Sequence, residues 1–79
     1  MSDIAIAKVL DLKGLPCPMP VVKMSQEIGS VQVGEVIEVH TTDPGSLSDF
    51  PAWASTAGQE VITTEQDNGV IKIFVKRLV

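Results

Sequence analysis

Two proline-containing junctions restrict the order in which strands and helices follow one another in this chain. The first junction lies between a strand-like run and a helical pattern and reads Gly14-Leu15-Pro16-Cys17-Pro18-Met19-Pro20. The second is Asp43-Pro44. Proline suits the first turn of a helix, because its φ is already helical and its missing N–H would have no helical partner there. We therefore expect a helix to begin at Pro18, and a second helix to begin with Asp43 as its cap.

The hydrophobic pattern around these junctions predicts the element order β-α-β-α-β-β. Alternation of apolar and polar residues places the strands at residues 4–12, 35–42, 60–65 and 70–79. Lys8 interrupts the apolar face of the first strand. Helical spacing continues from the first junction to about Gly29 and from the second to Gly58. Pro51 lies within the second helix and is expected to kink or split it.

The connections between these elements predict the architecture. A helix between the first two strands indicates that they run parallel with a right-handed crossover. Asn68-Gly69 predicts an antiparallel hairpin between the last two. Each strand keeps one polar face, so the sheet should be covered on one side only. We expect an α/β (α+β) two-layer sandwich, with a four-stranded mixed sheet and two helices on one face.

Length, cysteine content and charge restrict the function. Seventy-nine residues predict a single domain over 1–79, and such a chain buries only about 60–65% of its unfolded surface, too little to enclose a deep cavity. One cysteine excludes an internal disulfide or a multi-cysteine metal site, and the lone His40 adds little, so we expect no metal and no cofactor.

A net charge of −4 disfavours direct nucleic-acid binding. Residues 1–8 lack the pattern of a secretion signal, and no apolar run approaches a membrane span, so we expect a cytoplasmic protein without a membrane partner.

Cys17 is the residue whose position indicates chemistry. Amides at a helix start lack carbonyl partners and stabilise anions, and the thiolate is the nucleophilic form of cysteine. If Cys17 caps the helix, Met19 offers the local amide, because Pro20 has no N–H. A single amide donor would stabilise the Cys17 thiolate only modestly. A modestly stabilised thiolate suits a thiol that accepts, holds and releases a group. The alternative is a small buried hydrophobic residue at a turn.

The surroundings of Cys17 in the sequence hold few other reactive groups. Gly14, with Pro18 and Pro20, is expected to shape the loop, while Lys13 and Lys23 either add positive potential or are ordinary solvated lysines. There is no second cysteine for a dithiol cycle within the chain. The single histidine, on a strand, is more typical of an exposed residue than of a hydrolase base. A nucleophile with so few other catalytic groups suits a carrier better than a complete enzyme.

Several segments together match a known pattern. Residues 17–20 form a Cys-Pro-x-Pro motif, which follows Leu10-Asp11-Leu12-Lys13-Gly14-Leu15-Pro16. Three later segments keep the same order and spacing: Asp43-Pro44-Gly45, Asp49-Phe50-Pro51-Ala52-Trp53 and Gly58-Gln59-Glu60. From about residue 10 to its carboxyl end, the chain resembles the TusA/SirA-like family of small sulfur carriers.

The resemblance implies a two-layer sandwich in which Cys17 accepts sulfane sulfur as a persulfide. The donor would be a cysteine desulfurase or a rhodanese-like protein, and a second protein would accept the sulfur. The chain would then be a partial sulfurtransferase serving tRNA thiolation, cofactor synthesis or sulfur oxidation. Several relatives carry a second cysteine just after the residue that matches Trp53. This chain has Ala54 there, so it cannot form an intramolecular disulfide.

Two residues outside the first junction have two interpretations each. Asp43 either caps the second helix or faces the thiol and contacts a partner. Trp53, with Phe50 beside it, either belongs to the core or anchors a partner. Two other functions stay open as well: a regulatory protein-interaction module in which Cys17 is structural, and a redox sensor whose thiol forms sulfenic acid.

Overall fold

A four-stranded sheet and two α-helices make up the described part of the chain, which in this computed structural model is residues 5–16 and 18–79. The strands are β1 (Ile6–Asp11), β2 (Val36–Thr41), β3 (Glu60–Asp67) and β4 (Val70–Lys76). The helices are α1 (Met19–Glu27), which a short 3-10 helix (Ile28–Ser30) extends, and α2 (Ser46–Ala57). The predicted order β-α-β-α-β-β is confirmed. No helix in these described ranges is long and apolar enough to cross a membrane.

The sheet is mixed, with strand order β1-β2-β4-β3. β1 pairs parallel to β2, and β4 pairs antiparallel to both β2 and β3. The parallel first pair and the antiparallel last pair are as predicted. The hydrophobic pattern does not specify which strand lies beside β2. The structure places β4 there, so the two most apolar strands occupy the centre of the sheet.

The core lies on one face of the sheet, between the central strands and both helices. Met24 of α1 and Phe50 of α2 are fully buried against this face, which confirms that both helices cover the same side. Burying a side chain of this size contributes roughly 1.5–3 kcal/mol. The buried apolar cluster consists of Leu12, Met24, Val31, Ile37, Val39, Phe50, Ile71, Ile73 and Val75.

The opposite face of the sheet carries polar and charged side chains. Glu38 and His40 of β2 lie there, beside Lys72 of β4, and all three are half-buried. His40 Nε2 is 2.5 Å from Glu38 Oε2. The alternation between a buried and a polar face matches a sheet that is covered by helices on one side only.

The first helix begins one residue later than predicted. Pro18 has φ −98° and ψ 17°, and this ψ is not helical, so Pro18 precedes α1 and Met19 is its first residue. Pro20 occupies the second helical position, where its missing N–H is also without a helical acceptor. The prediction of Pro18 as the first helical residue is therefore wrong by one position.

The second helix begins at Ser46, so Asp43 is not its cap residue; Gly45 occupies that position. Asp43 Oδ1 instead accepts the Gly45 N–H at 3.1 Å, which is an Asx turn before the helix. The turn that leads into α2 is also tighter than an α-helix, because the Ser46 N–H donates to the Asp43 carbonyl at 3.0 Å. α2 continues through Pro51 as one helix, so the predicted split does not occur.

Candidate functional site

The two proline junctions lie at one edge of the sheet. β1 and β2 are parallel, so the loop after β1 and the turn after β2 both leave from their carboxyl ends. The Leu12 N–H donates to the His40 carbonyl at 2.7 Å and continues the pairing beyond β1. Cys17, the predicted nucleophile, lies outside the described residues. The site is therefore defined by the residues on either side of it.

The chain before Cys17 is attached to the body of the protein at two points. The Gly14 N–H donates to Thr42 Oγ1 at 3.0 Å. Gly14 has φ +83°, a left-handed conformation that few other residues adopt, and this turns the chain away from the sheet. Leu15 packs its half-buried side chain against the core. The predicted loop-shaping role of Gly14 is consistent with these contacts.

The chain after Cys17 forms a tight turn into α1. The Met19 N–H donates to the Pro16 carbonyl at 2.8 Å, and the Val22 N–H donates to the Pro18 carbonyl at 3.1 Å. The sequence suggested the Met19 amide as a donor to a Cys17 thiolate, but in the structure this amide has a backbone acceptor. That suggestion assumed Cys17 to be the cap residue, whereas the helix starts one position later.

The residues next to Cys17 differ in exposure. Pro16 and Pro18, its two neighbours, are both exposed, and Met19 keeps 36% of its surface accessible. Pro20 is fully buried. The turn thus has a buried proline that holds it to the core and a solvent-facing side that a second protein can reach.

The two lysines near the loop differ in their partners. Lys13 Nζ lies 3.1 Å from Asp11 Oδ1, and the Lys13 N–H donates to the same oxygen at 3.2 Å. The side-chain hydrogen bond from Lys13, followed by the backbone one, lowers the pKa of Asp11. Lys23 is exposed on α1 and has no ion-pair partner among the residues that the structure describes. Of the two lysines, Lys23 is therefore the one whose charge no carboxylate in the described ranges contacts.

Asp43 makes two local hydrogen bonds, while one of its carboxylate oxygens has no partner among the described residues. Its N–H donates to Thr41 Oγ1 at 3.2 Å, and its Oδ1 accepts from Gly45. Its Oδ2 is buried and has no hydrogen-bond partner within the described ranges. Thr41 and Ser46, both buried, also share a hydrogen bond of 3.3 Å between their hydroxyls. Buried acceptors without a donor are rare, so this oxygen is a candidate acceptor for an incoming donor.

Phe50 and Trp53, the aromatic residues of α2, differ in burial. Phe50 is fully buried and belongs to the core, so the suggestion that it anchors a partner is wrong. Trp53 is half-buried and meets Phe50 edge to face, with ring centroids 6.4 Å apart and planes at 68°. Ala54, the position discussed above for a second cysteine, is only 3% exposed. A side chain at this position is therefore covered from solvent.

Thr42 was not singled out from the sequence, although it holds the loop that leads to Cys17. In a strand pattern, a threonine on the polar face is indistinguishable from any exposed strand residue. Its contact with Gly14 spans 28 positions of the chain. Only the parallel pairing of β1 with β2 brings the two together, so no local pattern could have indicated this contact.

The family model for the sulfurtransferase TusA matches residues 8–77 of the chain. The chain belongs to the TusA family. This confirms the resemblance drawn from the Cys-Pro-x-Pro motif and the later segments. The match includes the loop with Cys17 as well as α2 and the hairpin.

Relatives of this TusA-family chain occur in bacteria and archaea. A Halobacterium salinarum protein is 46% identical over 77 residues, which is 96% of this chain and 95% of that protein. The sulfur carrier protein TusA of Allochromatium vinosum is 34% identical, and the match covers 86% of this chain and 90% of the relative. The Bacillus subtilis protein YrkF is 44% identical, but the chain spans only 37% of its length.

A solved structure supports the same assignment. The SirA-like protein from Desulfitobacterium hafniense superposes with a TM-score of 0.78 at 25% identity. The superposition covers 91% of this TusA-family chain and 99% of that protein. The predicted fold, with two helices on a four-stranded mixed sheet, is therefore the SirA-like α+β fold.

Proposed function

We propose that this TusA-family protein is a sulfur carrier that accepts sulfur as a persulfide on Cys17. The observation that carries the proposal is the family match, which includes Cys17 and its Cys-Pro-x-Pro motif. A relative that matches over most of its length bears the name sulfur carrier protein TusA. The exposure of Pro16 and Pro18 adds support, because a carrier must meet other proteins at its thiol.

The proposed reaction is a pair of exchanges without net oxidation. The Cys17 thiolate attacks the outer sulfur of a donor persulfide, the donor's S–S bond breaks, and the donor leaves as a thiolate. Cys17 then holds a persulfide. A nucleophile of the acceptor attacks the outer sulfur, and the Cys17 thiolate is the leaving group. The protein therefore acts as a partial sulfurtransferase whose catalytic residue is Cys17.

The partners of the proposed relay are two proteins. The donor carries a persulfide, as a cysteine desulfurase or a rhodanese-like protein does, and the acceptor uses the sulfur in tRNA thiolation, cofactor synthesis or sulfur oxidation. A single thiol that must stay reduced suits the cytoplasm. We assign partner contact to Lys23, Asp43 and the exposed part of Trp53. Lys13 contributes less, because Asp11 neutralises it.

Intact-mass spectrometry tests the first step. After exposure to a persulfide donor, the wild-type protein should gain one sulfur atom, and Cys17→Ser should gain none. The matched control is Ala54→Ser, which introduces the same hydroxyl in α2 and should still be loaded if it folds. Circular dichroism of each variant verifies folding. An unmodified wild-type protein, with a donor that loads a known acceptor in parallel, contradicts the proposal.

The second step separates a carrier from the other two functions. Loaded protein should lose its extra sulfur to an acceptor thiol and return to its original mass. A redox sensor would instead gain sulfenic acid on brief peroxide treatment and ignore the donor. A protein-interaction module would keep Cys17 unreactive toward both reagents in the folded state.

A further inference from the structure

We propose that Thr42 is a positioning residue for the loop that carries Cys17. The inference rests on the proposed function, because it concerns the same thiol. Its basis is the hydrogen bond from the Gly14 N–H to Thr42 Oγ1, 3.0 Å long, which joins this loop to the end of β2. Thr42 acts on the thiol through the backbone of the loop.

The hydrogen bond from Gly14 replaces the next backbone bond that this segment would donate to the end of β2. The last backbone bond between the two segments runs from the Leu12 N–H to the His40 carbonyl at 2.7 Å. In a regular parallel pair, the next bond donated from the β1 side would run from the amide two residues on to the carbonyl two residues on. Those residues are Gly14 and Thr42, and the side-chain hydroxyl of Thr42 accepts instead.

Because a hydroxyl accepts in place of a carbonyl, the chain can leave the sheet while the Gly14 amide keeps a hydrogen-bond partner. With φ +83°, Gly14 turns the loop away from β2, where a strand would continue straight. The side-chain hydroxyl of Thr42 reaches beyond the end of the ladder and accepts the Gly14 N–H there. Cys17 follows three residues later, with Leu15 packed on the core in between.

Thr42 also links the loop to the turn before α2. The residue before it, Thr41, accepts the Asp43 N–H at 3.2 Å and bonds to Ser46. The residue after it is Asp43, whose Oδ2 lacks a partner among the described residues. One short segment, 41–43, therefore sets the loop before Cys17 and the carboxylate at the same edge of the sheet.

Three variants test the inference. Thr42→Val removes the hydroxyl and keeps the shape, Thr42→Ser keeps the hydroxyl, and Thr63→Val makes the same change at an exposed position of β3. Amide hydrogen exchange should show the Gly14 N–H exchanging about five-fold faster in Thr42→Val, the factor expected for a hydrogen bond of typical strength. Thr42→Ser and Thr63→Val should behave as wild type.

A second measurement detects positioning rather than simple stability. The pH profile of Cys17 alkylation by iodoacetamide should move, in Thr42→Val alone, toward the profile of the urea-unfolded protein. Loss of the hydrogen bond also lowers the urea midpoint of Thr42→Val, so alkylation is measured without urea, where circular dichroism verifies that all four proteins are folded. Unchanged Gly14 exchange in Thr42→Val, or an alkylation profile identical in all four proteins, overturns the positioning role.

The same variants keep this inference separate from the sulfur-carrier proposal. If wild-type protein takes no sulfur from an active donor, the carrier proposal fails, while exchange and alkylation still decide the role of Thr42. If wild type is loaded, Thr42→Val should be loaded several-fold more slowly and Thr42→Ser at the wild-type rate. Equal loading rates of Thr42→Val and wild type overturn the inference and leave the carrier intact.

Discussion

At the scale of single residues, Lys8 shows how a charge is accommodated on an apolar face. The sequence places Lys8 within the buried face of β1, where it interrupts the pattern. In the structure its Nζ contacts Glu27 Oε1 at 2.5 Å and Ser30 Oγ at 3.0 Å. The ammonium group thus reaches the last residue of α1, as the long flexible stem of a lysine allows. The hydrogen bond from Lys8 is the largest cause that lowers the pKa of Glu27.

Glu27→Gln should reduce the stability of the protein at neutral pH but not in acid. The pKa of Glu27 is lowered on folding, so the folded state binds fewer protons and its stability rises with pH. The stabilisation from this carboxylate is complete above its ordinary pKa of 4.5 and is lost as pH falls through the lower pKa of the folded state. Urea unfolding of wild type and Glu27→Gln from neutral to acidic pH measures the difference, which should shrink toward low pH.

Glu60→Gln is the matched control for this pH dependence. Glu60 is an exposed carboxylate of β3 without an ion pair in the part of the chain that the structure describes. Its substitution should produce a smaller change than Glu27→Gln at neutral pH. If the two variants lose the same stability at every pH, the Lys8–Glu27 pair is not a stabilising contact.

At the scale of elements, the β3-β4 hairpin was the most predictable part of the fold. Asn68 has φ +52° and Gly69 φ +81°, so both central residues of the turn are left-handed, as a type I′ turn requires. This geometry matches the twist of the two strands. Asn-Gly is the dipeptide that favours it most, so the local sequence was sufficient to predict the turn.

Gly69→Ala should destabilise the protein by roughly 1–2 kcal/mol, because an L-residue with a side chain must adopt the left-handed conformation. Gly29→Ala is the matched control. An added Cβ at either position meets no atom within 4 Å, and Gly29 has no positive φ. Gly29→Ala should therefore be neutral or stabilise by about 0.4–1 kcal/mol. Urea denaturation compares the two, and equal losses would mean that the turn conformation is not the cause.

At the scale of the whole molecule, stability depends on one layer of side chains between the sheet and the helices. Ile73 lies in the middle of this layer on β4 and has no exposed surface. Ile62 lies on the edge strand β3 and is 37% exposed. Ile62 lies at an irregularity in the β3–β4 pairing, between Val61 and Thr63, and Val61 is the neighbour that packs against the core.

Ile73→Val should lower the free energy of unfolding by about 0.5–1.5 kcal/mol, since it leaves a small cavity in a packed core. Ile62→Val removes the same methylene group at a partly exposed position and should stay within about 0.5 kcal/mol. Chemical denaturation of both variants measures the effect. A loss at Ile62 equal to that at Ile73 would contradict the assignment of the core to this layer.

The elements and the type of the candidate site were predictable because they follow from local chemistry. Alternation identified the strands, proline and glycine marked the junctions, and the Cys-Pro-x-Pro motif indicated the family. The first residues of α1 and α2 were predicted less well. Pro18 and Asp43 both belong to turns that precede the helices. Local hydrogen bonds decide these boundaries, between backbone groups before α1 and also from the Gly45 N–H to the Asp43 side chain before α2.

Contacts between distant segments depend on the folded chain. Strand order placed β4 beside β2, parallel pairing brought Thr42 to Gly14, and packing joined Lys8 to Glu27. The sequence contains the hydroxyl, the amide and the charges, but their partners lie 28 and 19 positions away. Periodicity and turn chemistry act over a few residues, whereas such pairs form only when the hydrophobic core draws the sheet and helices together.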